Sequence, residues 1–224
     1  MPERAALLTG FEPYAGRGAN PAQAIARALD GREIAGVPVK GRTLPVSHAE
    51  LAKRVTGLLD EIEPIVVLSL GLWPGEPVVR IERGAANLAD FEIPDNDGNR
   101  IRAAALIDGR AAARAATVPV REIEQALLAA GIPARLSASA GTFLCNACFY
   151  HFLEAGAARP NPPLTGFLHV PYLPGQVAEL IAETGRSGRL ELAQRADLAS
   201  MELGLATRAV EIALAISIAA AGAG

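Results

Sequence analysis

Ile65-Val-Val-Leu-Ser-Leu70 is an almost unbroken apolar run, rich in β-branched residues and bounded by Pro64 and Gly71. A strand of that composition offers no polar face to water, so it belongs inside a sheet covered on both sides. Helices supply such cover, and they fall between strands when the sheet is parallel. The surrounding sequence supplies both. Ala5 to Thr9 is a second apolar run of strand length, closed by Gly10, and Val37 to Leu44 reads as a third. Asn20-Pro21 has the form of a helix start, with Asn at the N-cap and Pro at the first helical position ahead of Ala22 to Leu29. Ser47 with Glu50 makes a capping box for a helix from His48 to Ile62, which Pro64 stops.

The same alternation continues downstream. Gly71 to Asp108 has little helical periodicity and many turn formers, and a loop-rich stretch of that length in a compact domain tends to carry function. Val118 or Pro119 to Ala130 reads as a helix, Ala134 to Ser139 as a strand, and Asn146 to Ala155 as a helix ended by Gly156. Thr165 to Pro171 is a short strand, and a last helix runs from about Ala199 to Ile218 with Leu203, Ala206, Val210 and Leu214 on one side. The expected fold is α/β: a single three-layer domain over residues 1–224, with a mostly parallel twisted sheet and helices on both faces. Loops after Thr9, Leu70, Ser139 and His169 should then converge at the carboxyl ends of the strands, where such folds place their sites.

Composition narrows the function. Hydrophobic residues make up 50% and aromatic residues 4%, so the core is aliphatic. Net charge is −3, with acids and bases interleaved, and no basic patch points to nucleic acid. The apolar tail Ile212 to Gly224 falls short of the ~18 residues that a bilayer span needs, so no membrane partner is expected. Two cysteines do not make a disulfide scaffold, which sets a reducing cytoplasm as the default.

Those two cysteines lie together in Gly141-Thr-Phe-Leu-Cys145-Asn-Ala-Cys148, between a strand and a helix. A cysteine at the positive end of a helix has its thiolate favoured, although small buried cysteines are commoner than nucleophiles. Cys145-x-x-Cys148 also matches a dithiol redox pair, at an unusual place in the chain. A nucleophilic Cys needs a base from elsewhere. There are three histidines: His48 at a helix start, His151 six residues after Cys145, and His169 in an apolar strand just before Pro171. His169 is the best placed. Glu82 in Ile81-Glu-Arg83, or an acid within Asp90 to Asp95, could orient the imidazole. The cysteine and histidine spacings do not form a zinc site, so no metal or cofactor is expected.

These segments, taken in order, resemble pyroglutamyl peptidase I, a family of cytoplasmic cysteine peptidases. The resemblance runs through Leu8-Thr-Gly-Phe-Glu-Pro-Tyr14 with Asn20-Pro21, Leu44-Pro-Val46, and Gly71 and Gly75 with Ile81-Glu-Arg83. It continues through Asn87, Ile93-Pro-Asp-Asn96, Ala140 to Asn146 with Tyr150, and Gly166-Phe-Leu-His-Val-Pro171. It implies a Glu82, Cys145, His169 triad that removes N-terminal pyroglutamate from peptides through a thioester, without a metal or cofactor. It further implies a ring pocket drawing on Phe11, Tyr14, Asn20, Leu72, Ile93, Phe143 and Leu144, and a homodimer or homotetramer. An inactive or altered-specificity binding homologue is the alternative. Two departures feed it: Glu76 and Glu92 stand where the family carries arginine, and Leu72 replaces a polar side chain.

Overall fold

The computed structural model of the chain describes residues 4–187 and 198–222. Its elements in order are β1 (Ala6–Phe11), α1 (Pro21–Leu29), β2 (Glu33–Ile34), β3 (Val37–Leu44), α2 (His48–Ile62) and β4 (Val66–Leu72). There follow β5 (Val79–Glu82), β6 (Gly84–Ala86), β7 (Ala113–Ala115), α3 (Val120–Ala129), β8 (Ala134–Ser137) and α4 (Leu144–Ala157). The last are β9 (Leu164–Val170), α5 (Pro174–Ser187) and α6 (Leu203–Gly222). Seven strands form one sheet in the order β2-β3-β1-β4-β9-β5-β8.

The apolar run at residues 65–70 does become the middle of the sheet. All seven residues of β4 are buried, and it pairs in parallel with β1 on one side and β9 on the other. Helices α1, α3 and α6 cover one face, packing Ile25, Leu29, Ile123, Leu127, Val210 and Leu214 on Leu68, Leu70, Leu168 and Val170. Helices α2 and α4 cover the other, packing Leu51, Val55, Leu58, Phe149 and Phe152 on Leu7, Val67 and Phe167. The α/β layered class with helices on both faces is what the sequence indicated. The sheet is mixed at two places: β2 is antiparallel to β3, and β5 is antiparallel to β9 while parallel to β8.

Caps set several boundaries. Asn20 Oδ1 accepts from the Ala22 N–H, and Ser47 Oγ accepts from the Glu50 N–H, so α1 and α2 start where those side chains dictate. Helix α2 ends one residue before Pro64, on Glu63 in the left-handed region at φ 46°. Helix α4 is longer than its composition suggested. It opens two residues earlier, at Leu144, and runs through Gly156 to Ala157, with Pro163 beside Gly156. Helix α6 begins at Leu203, after Glu202 accepts from the Leu205 N–H, and has 20 residues, so by length and apolarity alone it could cross a bilayer. In this fold Ala206, Ala209, Val210, Ala213, Leu214 and Ile218 form a buried stripe on the core. Residues 223 and 224 of the apolar tail lie outside the described residues.

Much of 71–118 is ordered by α4. Asn146 donates to the carbonyls of Ala86 and Leu88 and accepts from the Ala86 N–H; Tyr150 O–H donates to Ala111 O at 2.6 Å. Asn87 in turn bridges to Ile107 through both its donor and acceptor. One buried helix thus holds the long connection against the sheet.

Candidate active site

Strand alternation decides which side chains meet. On β9, Phe167 and His169 face α4 while Leu168 and Val170 face the other layer. On β5, Val79 and Ile81 belong to that other layer, so Arg80 and Glu82 share the face of His169. His169 Nδ1 lies 2.8 Å from Glu82 Oε1, with the two side chains 1% and 0% exposed. With Glu82 ionised, Nδ1 carries the hydrogen that it donates, and Nε2 is left as an acceptor.

Position 71 on β4 lies directly beside His169, in register with it. A Cβ built there would stand 2.7 Å from Cys145 Sγ, 2.8 Å from His169 Cδ2 and 3.0 Å from Nε2. Sulfur and imidazole therefore occupy the space that a side chain at Gly71 would need. Cys145 is the second residue of α4 and is half-buried. Gly141, at φ +78°, makes the turn before it, and Thr142 exchanges hydrogen bonds with Asp90 through its backbone carbonyl and hydroxyl. Phe143 occupies the N-cap without a capping side chain, and Ala147 N–H is bonded to Phe143 O. The N–H groups of Leu144, Cys145 and Asn146 are the ones helix geometry leaves without a helical acceptor.

Electrostatics at rest favour the neutral pair. Burial pulls the His169 pKa below the usual range, against the pull of Glu82 in the other direction, with Arg80 lowering it further. Burial raises the Cys145 thiol, helped by Cys148 and Glu82 and opposed by its own backbone N–H. Cys148 is pushed up to about 12 by burial and donates to Ser69 Oγ, itself the acceptor from Thr9. Both cysteines are free. His48 packs edge-on to Phe91 at 5.5 Å, and His151 is buried with its pKa brought down to about 4, chiefly by burial and then by His48. Neither of these histidines lines the cavity that holds Cys145. Among the described residues no three His, Cys, Asp or Glu side chains gather so as to hold a metal ion.

That cavity has a volume of about 300 Å³. Phe11, Tyr14, Asn20, Leu72, Ile93, Phe143 and Leu144 all line it, together with Cys145 and His169. Asn20 spends its amide on Glu12 O and its oxygen on capping α1, so it shapes the wall more than it reaches into the space. Tyr14 and Phe143 stand 6.2 Å apart, and Phe143 meets Phe91 edge-on at 4.7 Å. A larger recess of about 710 Å³, between Arg4, Pro160 to Pro163 and Ala220, contains no cysteine or histidine.

Two lining residues were not singled out as site residues by the sequence, Trp73 and Pro74, while Asp90 comes from the acidic stretch and Thr142 from the turn before Cys145. Trp73, the only tryptophan, meets the His169 ring edge-on at 4.9 Å. The two acids at arginine positions part company here. Glu76 is buried and paired with Arg80 and Arg135, away from the cavity. Glu92 lines the cavity, and with Asp90 makes its rim acidic.

The family model for pyroglutamyl peptidase matches residues 4–218. The chain belongs to the pyroglutamyl peptidase family. Among curated relatives, the pyrrolidone-carboxylate peptidase of Pyrococcus furiosus is 40% identical over 177 residues, 79% of this chain and 85% of that protein. That of Thermococcus litoralis is 37% identical over 212 residues, 95% of this chain and 92% of that protein. Among solved structures, a variant of pyrrolidone carboxyl peptidase from Pyrococcus furiosus superposes with a TM-score of 0.88 at 35% identity, covering 96% of this chain and 99% of that one. Family membership makes the chain a cysteine ω-peptidase, a hydrolase of peptide bonds.

Proposed function

We propose that Cys145, His169 and Glu82 carry the removal of N-terminal pyroglutamate by this member of the family. One observation supports the reading above others: Cys145 Sγ and His169 Nε2 both lie within 3.0 Å of the single point where a Gly71 side chain would start, while Nδ1 is held by Glu82. In the reaction Cys145 Sγ forms a bond to the pyroglutamyl carbonyl carbon as its proton passes to Nε2. The C–N bond then breaks as that proton moves to the leaving amine, giving a thioester and a shortened peptide. Water adds to the thioester, His169 takes its proton, and pyroglutamate leaves as the sulfur is reprotonated. The free N–H groups at the start of α4, Cys145 above all, are placed to receive the oxyanion. Glu82 keeps Nδ1 protonated and offsets the charge that His169 gains.

The lactam ring is flat and uncharged, and it suits a cavity walled by Phe11, Tyr14, Leu72 and Phe143. The same reading carries a homodimer or homotetramer in the cytoplasm, where a reducing milieu keeps Cys145 a thiol; sedimentation velocity tests the assembly. Release of the fluorophore from pyroglutamyl-aminomethylcoumarin tests the site. Wild type and Cys148→Ala should cleave it and Cys145→Ser should not. A wild-type chain without turnover would favour a non-catalytic binding homologue, and a need for both sulfurs would favour a dithiol protein.

A further inference from the structure

Arg80 lies beside the Glu82–His169 pair without lining the cavity, and it makes several side-chain contacts there. Its Nε donates to Glu82 Oε1 at 3.1 Å, the same oxygen that receives His169 Nδ1. Nη1 reaches Glu76 Oε2 at 3.3 Å, and Nη2 donates to Ser137 Oγ at 2.6 Å and to Ser139 O at 2.8 Å. The guanidinium carbon sits 3.8 Å from the centroid of the Trp73 ring, which also meets the edge of His169 and lies beside the Gly141 turn that leads to Cys145. Glu82 is fully buried, its Oε2 has no hydrogen-bond partner, and Arg80 is the cation in direct contact with its Oε1.

We propose that Arg80 is a positioning residue for this reaction: it holds the Glu82 carboxylate aimed at His169 and clamps Trp73 against the imidazole edge. The proposal rests on the roles given above to Cys145, His169 and Glu82. No other residue type makes this set of contacts. Lysine carries the charge, but a single ammonium has neither the fork that spans Glu82, Glu76 and Ser139 nor the flat face that stacks on Trp73. The charged and titratable groups around His169 are Glu82 and Arg80 on β5, Glu76 on the connection before it and Cys145 on α4. Of these, Arg80 alone opposes protonation of the imidazole by its charge.

The test compares Arg80→Met, Arg80→Lys and wild type in the full chain, using pyroglutamyl-aminomethylcoumarin across pH. Arg80→Met should lower kcat by about 10- to 100-fold with KM changed by less than about twofold, and should move the acid limb of kcat/KM to higher pH. Arg80→Lys should return the limb towards its wild-type position while recovering part of kcat. Fluorescence of the sole tryptophan gives a second readout: its pH titration should shift with the kinetic limb in Arg80→Met and vanish in His169→Ala. A folded Arg80→Met enzyme with wild-type kcat and an unmoved limb overturns the proposal. So does a loss of active protein in which the remaining enzyme keeps the wild-type limb and Trp73 titration, since that is structural support only. Turnover surviving in Cys145→Ser or His169→Ala would instead remove the reading on which the proposal stands.

Discussion

Gly71 and Cys145 compete for one volume: a methyl group on Gly71 would stand 2.7 Å from the Cys145 sulfur. The central strand thus contributes to the site by what it omits. Gly71→Ala should displace Sγ from Nε2 and lower kcat/KM by about 100-fold or more, as misplacement of a reacting atom by about 1 Å does. The overpacking should cost about 1–3 kcal/mol in urea unfolding. Wild-type turnover in a folded Gly71→Ala protein would mean that the sulfur works from elsewhere.

Glu82 acts on His169 in the opposite sense to Arg80, since it raises the imidazole pKa that Arg80 lowers. Activity that needs a neutral imidazole rises with pH through the His169 pKa. Glu82→Gln should therefore move the acid limb of kcat/KM to lower pH, and should reduce kcat by about 10²- to 10⁴-fold. A pH–rate profile of this variant checks both.

The acidic rim of the cavity bears on the residue that leaves. Glu92 lines the space beside Cys145, and Asp90, 3.8 Å from the exposed Arg102, lies beside it. Substrates with Lys or Arg after pyroglutamate should be preferred to those with Asp or Glu. Glu92→Gln should shrink that preference by about two- to fivefold, and added salt should do the same, as expected of an exposed charge worth about 0.2–1 kcal/mol. Competition between paired pyroglutamyl dipeptides measures it.

His151 makes the fold sensitive to acid independently of the site. Its folded pKa of about 4 is below its ordinary 6.5, so its contribution is intact above 6.5. As pH falls towards 4 the unfolded chain binds the proton first, and stability declines by on the order of 3 kcal/mol. Denaturant midpoints between those pH values should fall in wild type and flatten in His151→Gln.

Asn146 holds the connection over α4 with three hydrogen bonds while 1% exposed. Removing it strands the polar groups of Ala86 and Leu88, at a cost of about 1–3 kcal/mol. Asn146→Ala should show it as a lower urea midpoint.

How much of this could be read from the chain depends on whether the cause was local. Asn20 and Ser47 cap their own helices, so the starts of α1 and α2 were plain, and the continuous apolar run at β4 announced a doubly covered strand. Cys145 was visible as a helix-start cysteine behind a Gly141 turn, and His169 as a lone polar residue in an apolar strand. Strand β5 was hidden, because four residues amid turn formers show too little alternation and its antiparallel pairing with β9 has no local signature. Arg80 and Trp73 were invisible for the same reason, since only that pairing brings Arg80 opposite His169. Glu76 looked like a charge at the site until burial against Arg80 and Arg135 turned it inward. Helix α5 was missed, and α4 runs on through Gly156 to Ala157 where glycine had suggested a stop.

Covalent labelling tests the central claim most directly. A chloromethyl ketone analogue of pyroglutamate should alkylate one residue per chain, Cys145, with loss of activity in step with labelling. Peptide mapping that finds the label on Cys148, or finds activity lost without a label on Cys145, would contradict the account.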